Sequence, residues 1–189
     1  MLTQQDDNWE TSSAQSSEEM PKSELDSHAN MAVVGRHGTV IADLEKNCRV
    51  NAFGPDCDTL TIPIKDMATK HVDPHSGEQH ILVVRNALHV PAMDNNLIPP
   101  FVMREAGLVV KDTPKTHLDK PTKEDHSTFF PDEKLRTPLK LSGTFSHFPS
   151  KKPTEKEISE AEEDEKLLCV SPVTWDPHNT VCAHNGTTC

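Results

Sequence analysis

Between residues 31 and 110 the apolar side chains arrive only in short runs, and almost every run is closed by glycine, proline, asparagine or aspartate. Met31 to Val34 ends at Gly35, and Thr39 to Ala42 follows a turn at Gly38. Arg49 to Phe53 leads into Gly54-Pro55, and Leu60 to Ile64 alternates around Pro63. Ile81 to Val84 continues through Ala87 to Val90 and stops at Pro91. Short β-branched runs bounded by turn residues are strand signals, so the pattern predicts a chain that is mainly β. One short helix should interrupt it. Pro99-Pro100 suits a first helical turn, where a missing amide donor costs nothing, Phe101 to Ala106 holds helix formers, and Gly107 supplies a left-handed cap. Leu108 to Val110 reads as a further strand. Thr137 to Leu141 and Thr144 to Phe148, joined at Ser142-Gly143, read as a hairpin.

Only 34% of the 189 residues are hydrophobic and 4% aromatic, below the globular average, so part of the chain is expected to stay outside the core. Residues 1–22 read as a disordered acidic tail. Residues 23–112 read as the structured domain, 113–149 as a connector with the hairpin, and 150–189 as an acidic linker or exposed helix followed by a disordered tail. The picture from the residues is a small β-rich domain with one short helix, flanked by disordered tails.

Several function classes are excluded on the same grounds. No apolar run approaches the ~18–20 residues that span a bilayer, so no membrane association is expected. The first residues lack the cationic and apolar stretches of a secretory signal. With 30 acidic against 19 basic side chains the formal charge is -11, which argues against direct nucleic-acid binding through counterion release. The five cysteines, Cys48, Cys57, Cys169, Cys182 and Cys189, are an odd number and widely spaced, as in a reduced cytoplasmic protein.

The segment Leu25-Asp26-Ser27-His28-Ala29-Asn30, leading into Met31 to Gly35, is the candidate site. An aspartate at a strand end, followed by a hydroxyl and then a small residue, is the layout of an aspartic-protease half-site. That chemistry needs two carboxylates sharing one proton, one to activate water and one to polarise the scissile carbonyl. A domain of this size supplies one, so two chains must meet on a two-fold axis. Taken alone, the same four residues also suit a turn or a helix cap. Asp58-Thr59 and Asp112-Thr113 repeat the pair and read as turn caps. His71, His75 and His80 read as a polar hairpin loop around Pro74 and Gly77. Cys182-Ala183-His184 with Cys189 lacks zinc-knuckle spacing, and Gly35 and Gly38 lack the rest of a phosphate-binding loop, so no metal and no cofactor is expected.

The run Asn86 to Pro100, with Leu88-His89-Val90-Pro91 and Asn96-Leu97-Ile98, and then Met103 to Gly107, resembles the protease region of copia-type retrotransposon polyproteins. The resemblance extends over about residues 24–149, including the hairpin, and the Asp-Ser-His-Ala variant is similar to a subgroup of these elements. It implies a small retropepsin-like closed or half-closed β-barrel domain with one short helix, flanked by disordered tails, and an aspartic endopeptidase that processes its own polyprotein as a homodimer, without metal or cofactor. The alternative is an inactive remnant serving as a structural or interaction module. In the active case Asp26 would be the catalytic carboxylate, and Ser27 would hold the two motifs in register across the dimer. Phe53 and Gly54, within Asn51 to Pro55, would belong to the substrate-covering flap. Leu97-Ile98 would lie on the strand beneath the catalytic loop. Two residues depart from the family. His28 stands where retropepsins have glycine and, if protonated, would oppose proton sharing by the dyad. Pro99-Pro100 stands where they have glycine, so that loop must be built differently.

Overall fold

The computed structural model describes residues 20–51, 58–74 and 76–173. β1 (Lys22–Leu25) opens the chain and β2 (Val33–Val34) follows the Asp26 loop. Three long strands come next, β3 (Thr39–Val50), β4 (Leu60–Val72) and β5 (Gln79–His89), then β6 (Asn96–Ile98) and α1 (Pro100–Glu105). β7 (Val109–Lys111), β8 (Ser127–Phe130) and β9 (Leu135–Pro138) form one sheet of three strands. The hairpin β10 (Lys140–Ser142) and β11 (Phe145–Pro149), helix α2 (Glu155–Glu163) and β12 (Leu167–Cys169) complete the described chain.

The large sheet runs in the order β10-β11-β1-β6-β2-β5-β4-β3, with β12 also paired to β5. β5 is the strand most enclosed. It pairs with β4 along its length, with β12 at Ile81 to Val83 and with β2 at Leu88 and His89. A strand covered this way reads as a continuous apolar run, and Ile81 to Val84 are all buried. The β4–β5 ladder shifts register between Lys65 and Met67, where Asn86 takes φ 50. Asp66 staples this bulge: one carboxylate oxygen accepts from the Asn86 amide at 2.8 Å, the other from the Arg85 guanidinium at 3.0 Å. The main core gathers Leu25, Val34, Met67, Val84, Ile98, Met103, Phe148 and Leu168. Met31, Cys48, Ile64 and Leu88 form a second buried group.

The chain is mainly β, and the predicted helix is present. Pro99 precedes α1 and Pro100 is its first residue, so the two prolines start the helix instead of extending β6. Gly107, at φ 89, donates to the Arg104 carbonyl and Leu108 to that of Met103, the paired bonds of a Schellman cap. The β10–β11 hairpin forms around Gly143 at φ 60, although Thr137 belongs to β9.

Four expectations are corrected. No closed barrel forms among the described residues: β3 pairs only with β4 and β10 only with β11, so both edges stay open. β3 is bent by a register shift between Asp43 and Lys46, with Glu45 at φ 53, and β10 is three exposed residues, devices that keep an edge from pairing further. Residues 113–149 are no loose connector, because β8 pairs on both sides and buries Ser127 and Thr128. The stretch after 163 is not all tail. α2 is the exposed helix, one of the two readings of the acidic segment, but β12 returns to the sheet because Leu168 and Val170 bury completely or nearly so against the core. His71, finally, points inward from β4 instead of lying in a polar loop, at 1% exposure.

Candidate functional site

Asp26 follows the last residue of β1, and its position is set by β6. β1 runs parallel to β6, with Leu25 opposite Ile98, while β2 runs antiparallel to it, with Val33 opposite Leu97. The loop from Asp26 to Ala32 therefore leaves and re-enters on the two sides of one short strand. The Asp26 amide donates to the Ile98 carbonyl at 3.2 Å, which continues the β1–β6 ladder one residue past the strand. A buried polar chain holds the same three strands behind the loop. Asn96 donates to the Ser23 hydroxyl at 3.0 Å and accepts from the Gly35 amide at 3.0 Å. Ser23 in turn bonds Ser150. All of these side chains are at most 1% exposed, so each hydrogen bond also cancels a desolvation cost.

The carboxylate faces outward. The Asp26 side chain is 27% exposed and one of its oxygens accepts from the His28 amide at 2.9 Å. The His28 ring lies 3.9 Å from that oxygen and is 96% exposed, and its Nδ1 lies 3.4 Å from the Ser27 hydroxyl. His28 is absent from the residues with positive φ, so a side chain sits there without the left-handed strain that would demand glycine. Asp26, Ser27 and His28 are thus brought together on one turn. The flap candidates Phe53 and Gly54 lie outside the described residues.

Farther along the same loop lies a groove of about 190 Å³, which Asp26, Ser27 and His28 do not line. Asn30 and Met31 line it from the loop, Cys48 to Asn51 from the end of β3, and Leu88 from β5. A larger hollow of about 420 Å³ lies at the far end of β5, where Asp73, Glu78, Glu133 and Glu165 are interleaved with Lys134, Arg136 and Lys166. Among the described residues no cluster of three or more histidine, cysteine or acidic side chains is arranged to hold a metal ion. Cys182, His184 and Cys189 lie outside them. No described helix is long and apolar enough to cross a membrane. Asp112, read as a turn cap, pairs with Arg104 at 3.1 Å and so ties β7 back to α1.

The chain matches no family model, no curated protein and no solved structure. The site is therefore defined by its own geometry. The residues missed in the sequence are Ser23, Asn96 and Ser150, the polar chain behind the loop. Asn96 stood in plain view within Asn96-Leu97-Ile98, but its partners are 61 and 73 residues away, and nothing local marks such a pairing.

Proposed function

We propose that this chain is an aspartic-endopeptidase protomer of the copia retroelement type, with a retropepsin-like fold, acting on its own polyprotein as a homodimer. The observation that carries the reading is the placement of Asp26. Its loop is held by two strands on either side of β6, its carboxylate is accessible, and a groove runs between the loop and the end of β3. In the dimer each chain supplies one Asp26. The pair shares a proton, one member draws a proton from the attacking water, and the other protonates or polarises the scissile carbonyl oxygen. Ser27, exposed beside it, would bond across the two-fold axis in such a dimer.

Two exposed aromatic side chains near the loop support a dimer through this end of the sheet. Continuing the β1–β11 register, in which Glu24 faces His147, sets Phe145 beside Asp26 on one side. Phe101, in the first turn of α1, follows β6 on the other. Both phenylalanines are exposed, at 52% and 38%, and aromatic side chains of this kind anchor interfaces. The alternative reading, a module without catalysis, is favoured by the His28 ring 3.9 Å from the same carboxylate, where a positive charge would fix both aspartates as ions.

The test is cleavage of a longer polyprotein precursor from about pH 4 to 7, beside Asp26→Asn and with the oligomeric state measured in parallel. The expected result is pepstatin-sensitive cleavage, strongest on the acid side of neutrality and abolished by Asp26→Asn. Cleavage that survives Asp26→Asn would overturn the dyad. A dimer that cleaves nothing, and gains no activity in His28→Gly, would establish the non-catalytic module.

A further inference from the structure

Three short strands decide where Asp26 stands, and their ladders are sparse. β6 and β2 register at the single pair Val33–Leu97, and β1 and β6 at three, with Ser23 opposite Asn96. On its other side β2 is bonded to β5 through the Leu88 and Val90 amides, so its place relative to β1 is set across β6. The loop between β1 and β2 adds little of its own. Among the described residues, none of Ser27 to Met31 hydrogen-bonds outside the loop: Ser27 meets His28, and the His28 amide returns to Asp26. Met31 anchors the loop by packing beside Cys48, Ile64 and Leu88. The rest of its shape follows the separation of its two ends.

Asn96 supplies what the ladders lack. It is the first residue of β6, it is 1% exposed, and its side-chain amide reaches both ends of the loop at once. The Gly35 amide can only donate, so the atom 3.0 Å from it is the carbonyl oxygen Oδ1. Nδ2 is then the atom that donates to the Ser23 hydroxyl, also at 3.0 Å. One planar group thus ties the strand that enters the loop to the segment that leaves it. The two bonds need an acceptor and a donor in a fixed arrangement. An apolar side chain of the same size offers neither, and it would strand the buried Gly35 amide and Ser23 hydroxyl. Ser23 continues the chain to Ser150, itself 1% exposed, which braces it from behind.

We propose that Asn96 is a positioning residue for Asp26: its side-chain amide sets the spacing of the strands on which the loop begins and ends. Its bonds go to Ser23 and Gly35, so it acts on the carboxylate through the strands. The inference rests on the aspartic-endopeptidase reading only in naming Asp26 as the group to be positioned. The spacing itself does not depend on cleavage.

The experiment is amide hydrogen exchange on the full chain, comparing wild type, Asn96→Leu and Asn96→Asp at matched pH. The amides read are those of Asp26 and Leu88, which bond Ile98 and Ala32 at the two ends of the loop and do not bond Asn96. The amides of β8, paired on both sides in the other sheet, report the fold as a whole. In Asn96→Leu the first two should exchange about tenfold faster while β8 keeps its protection. Asn96→Asp supplies a rescue, because a protonated carboxyl has one acceptor and one donor in the shape of the amide, whereas the ionised form has no donor. Protection should follow that carboxyl, read from its carbon-13 NMR signal: wild-type while protonated, and as in Asn96→Leu while ionised. Equal acceleration in both sheets would make Asn96 a general contributor to stability and overturn the proposal, as would loop amides that ignore the carboxyl. Should Asn96→Leu fail to fold, Ser23→Ala, which cuts only the β1 bond, is read by the same comparison between the loop and β8. Where the wild type cleaves its precursor, Asn96→Leu should lower kcat about tenfold or more with KM little changed. An unchanged kcat beside a loosened loop overturns the positioning role. A wild type that cleaves nothing refutes the protease reading, and the exchange result then decides this one alone.

Discussion

At Gly35 the side chain has to be a hydrogen atom, because a Cβ there would press on the Met93 carbonyl oxygen and come within 3.0 Å of the Asn95 carbonyl. The same residue donates its amide to Asn96, and Arg36 next to it donates to Met93 at 3.0 Å. The turn before β6 is thus clamped onto the turn after β2, and the clamp fixes both strands that flank the Asp26 loop. Gly35→Ala should cost about 1–3 kcal/mol, the usual penalty for overpacking against backbone that cannot move away. Urea denaturation of the variant checks this, and an unchanged midpoint would mean that the 91–95 turn gives way freely. The candidate site was legible at this scale only in part. Asp26, Ser27 and His28 stand together in sequence and form one turn in the structure. Ser23, Asn96 and Ser150 are ordinary polar residues whose burial comes from partners far along the chain, so composition and spacing carry no trace of it.

Among the elements, those with local signals were the readable ones. α1 has two prolines at its start and a glycine past its end, and both work as helix boundaries. β12 has no such signal: three residues between an acidic helix and a polar terminus gain their strand identity from pairing with Ile81 to Val83, more than eighty residues earlier. β8 was hidden for a related reason, since its Ser127 and Thr128 look like loop residues until two neighbouring strands cover them. α2 shows how an exposed, strongly acidic segment still holds a helix. Thr154 accepts from the Glu157 amide while the Glu157 carboxylate accepts from the Thr154 amide, a complete capping box. Glu157 also pairs with Lys70 of β4, and these bonds hold its carboxyl down to about 2. Its contribution is therefore full above the ordinary 4.5 and is lost as pH falls from 4.5 toward 2. Thr154→Ala should lower stability by about 1 kcal/mol at neutral pH. If the denaturation midpoint does not move, α2 contributes nothing to the cooperative unit.

On the scale of the whole molecule the question is whether the chain from 150 on is an appendage or part of the fold. The packing points to the second. Leu168 and Val170 are 3% and 0% exposed and belong to the same core cluster as Leu25, Ile98 and Met103. Burying two such side chains is worth about 1.5–3 kcal/mol each. Ser150 bonds Ser23 within the chain that backs the Asp26 loop, the Ser171 hydroxyl accepts from the Arg85 amide at 2.7 Å, and the Thr39 hydroxyl donates to the Pro153 carbonyl at 2.7 Å. Removing the segment strands buried Ser23 and the half-buried Arg85 amide and Thr39 hydroxyl, and opens one side of β5, the most apolar strand of the sheet. Natural domains hold only about 5–15 kcal/mol in total, so the losses reach the margin of stability. A chain ending at residue 149 should therefore lose cooperative unfolding and bind hydrophobic dye, whereas one ending at residue 173 should unfold in a single sharp transition. Thermal denaturation followed by near-ultraviolet circular dichroism separates the two. A cooperative transition in the shorter chain would make residues 150–173 an accessory, and the boundary expected from composition would stand.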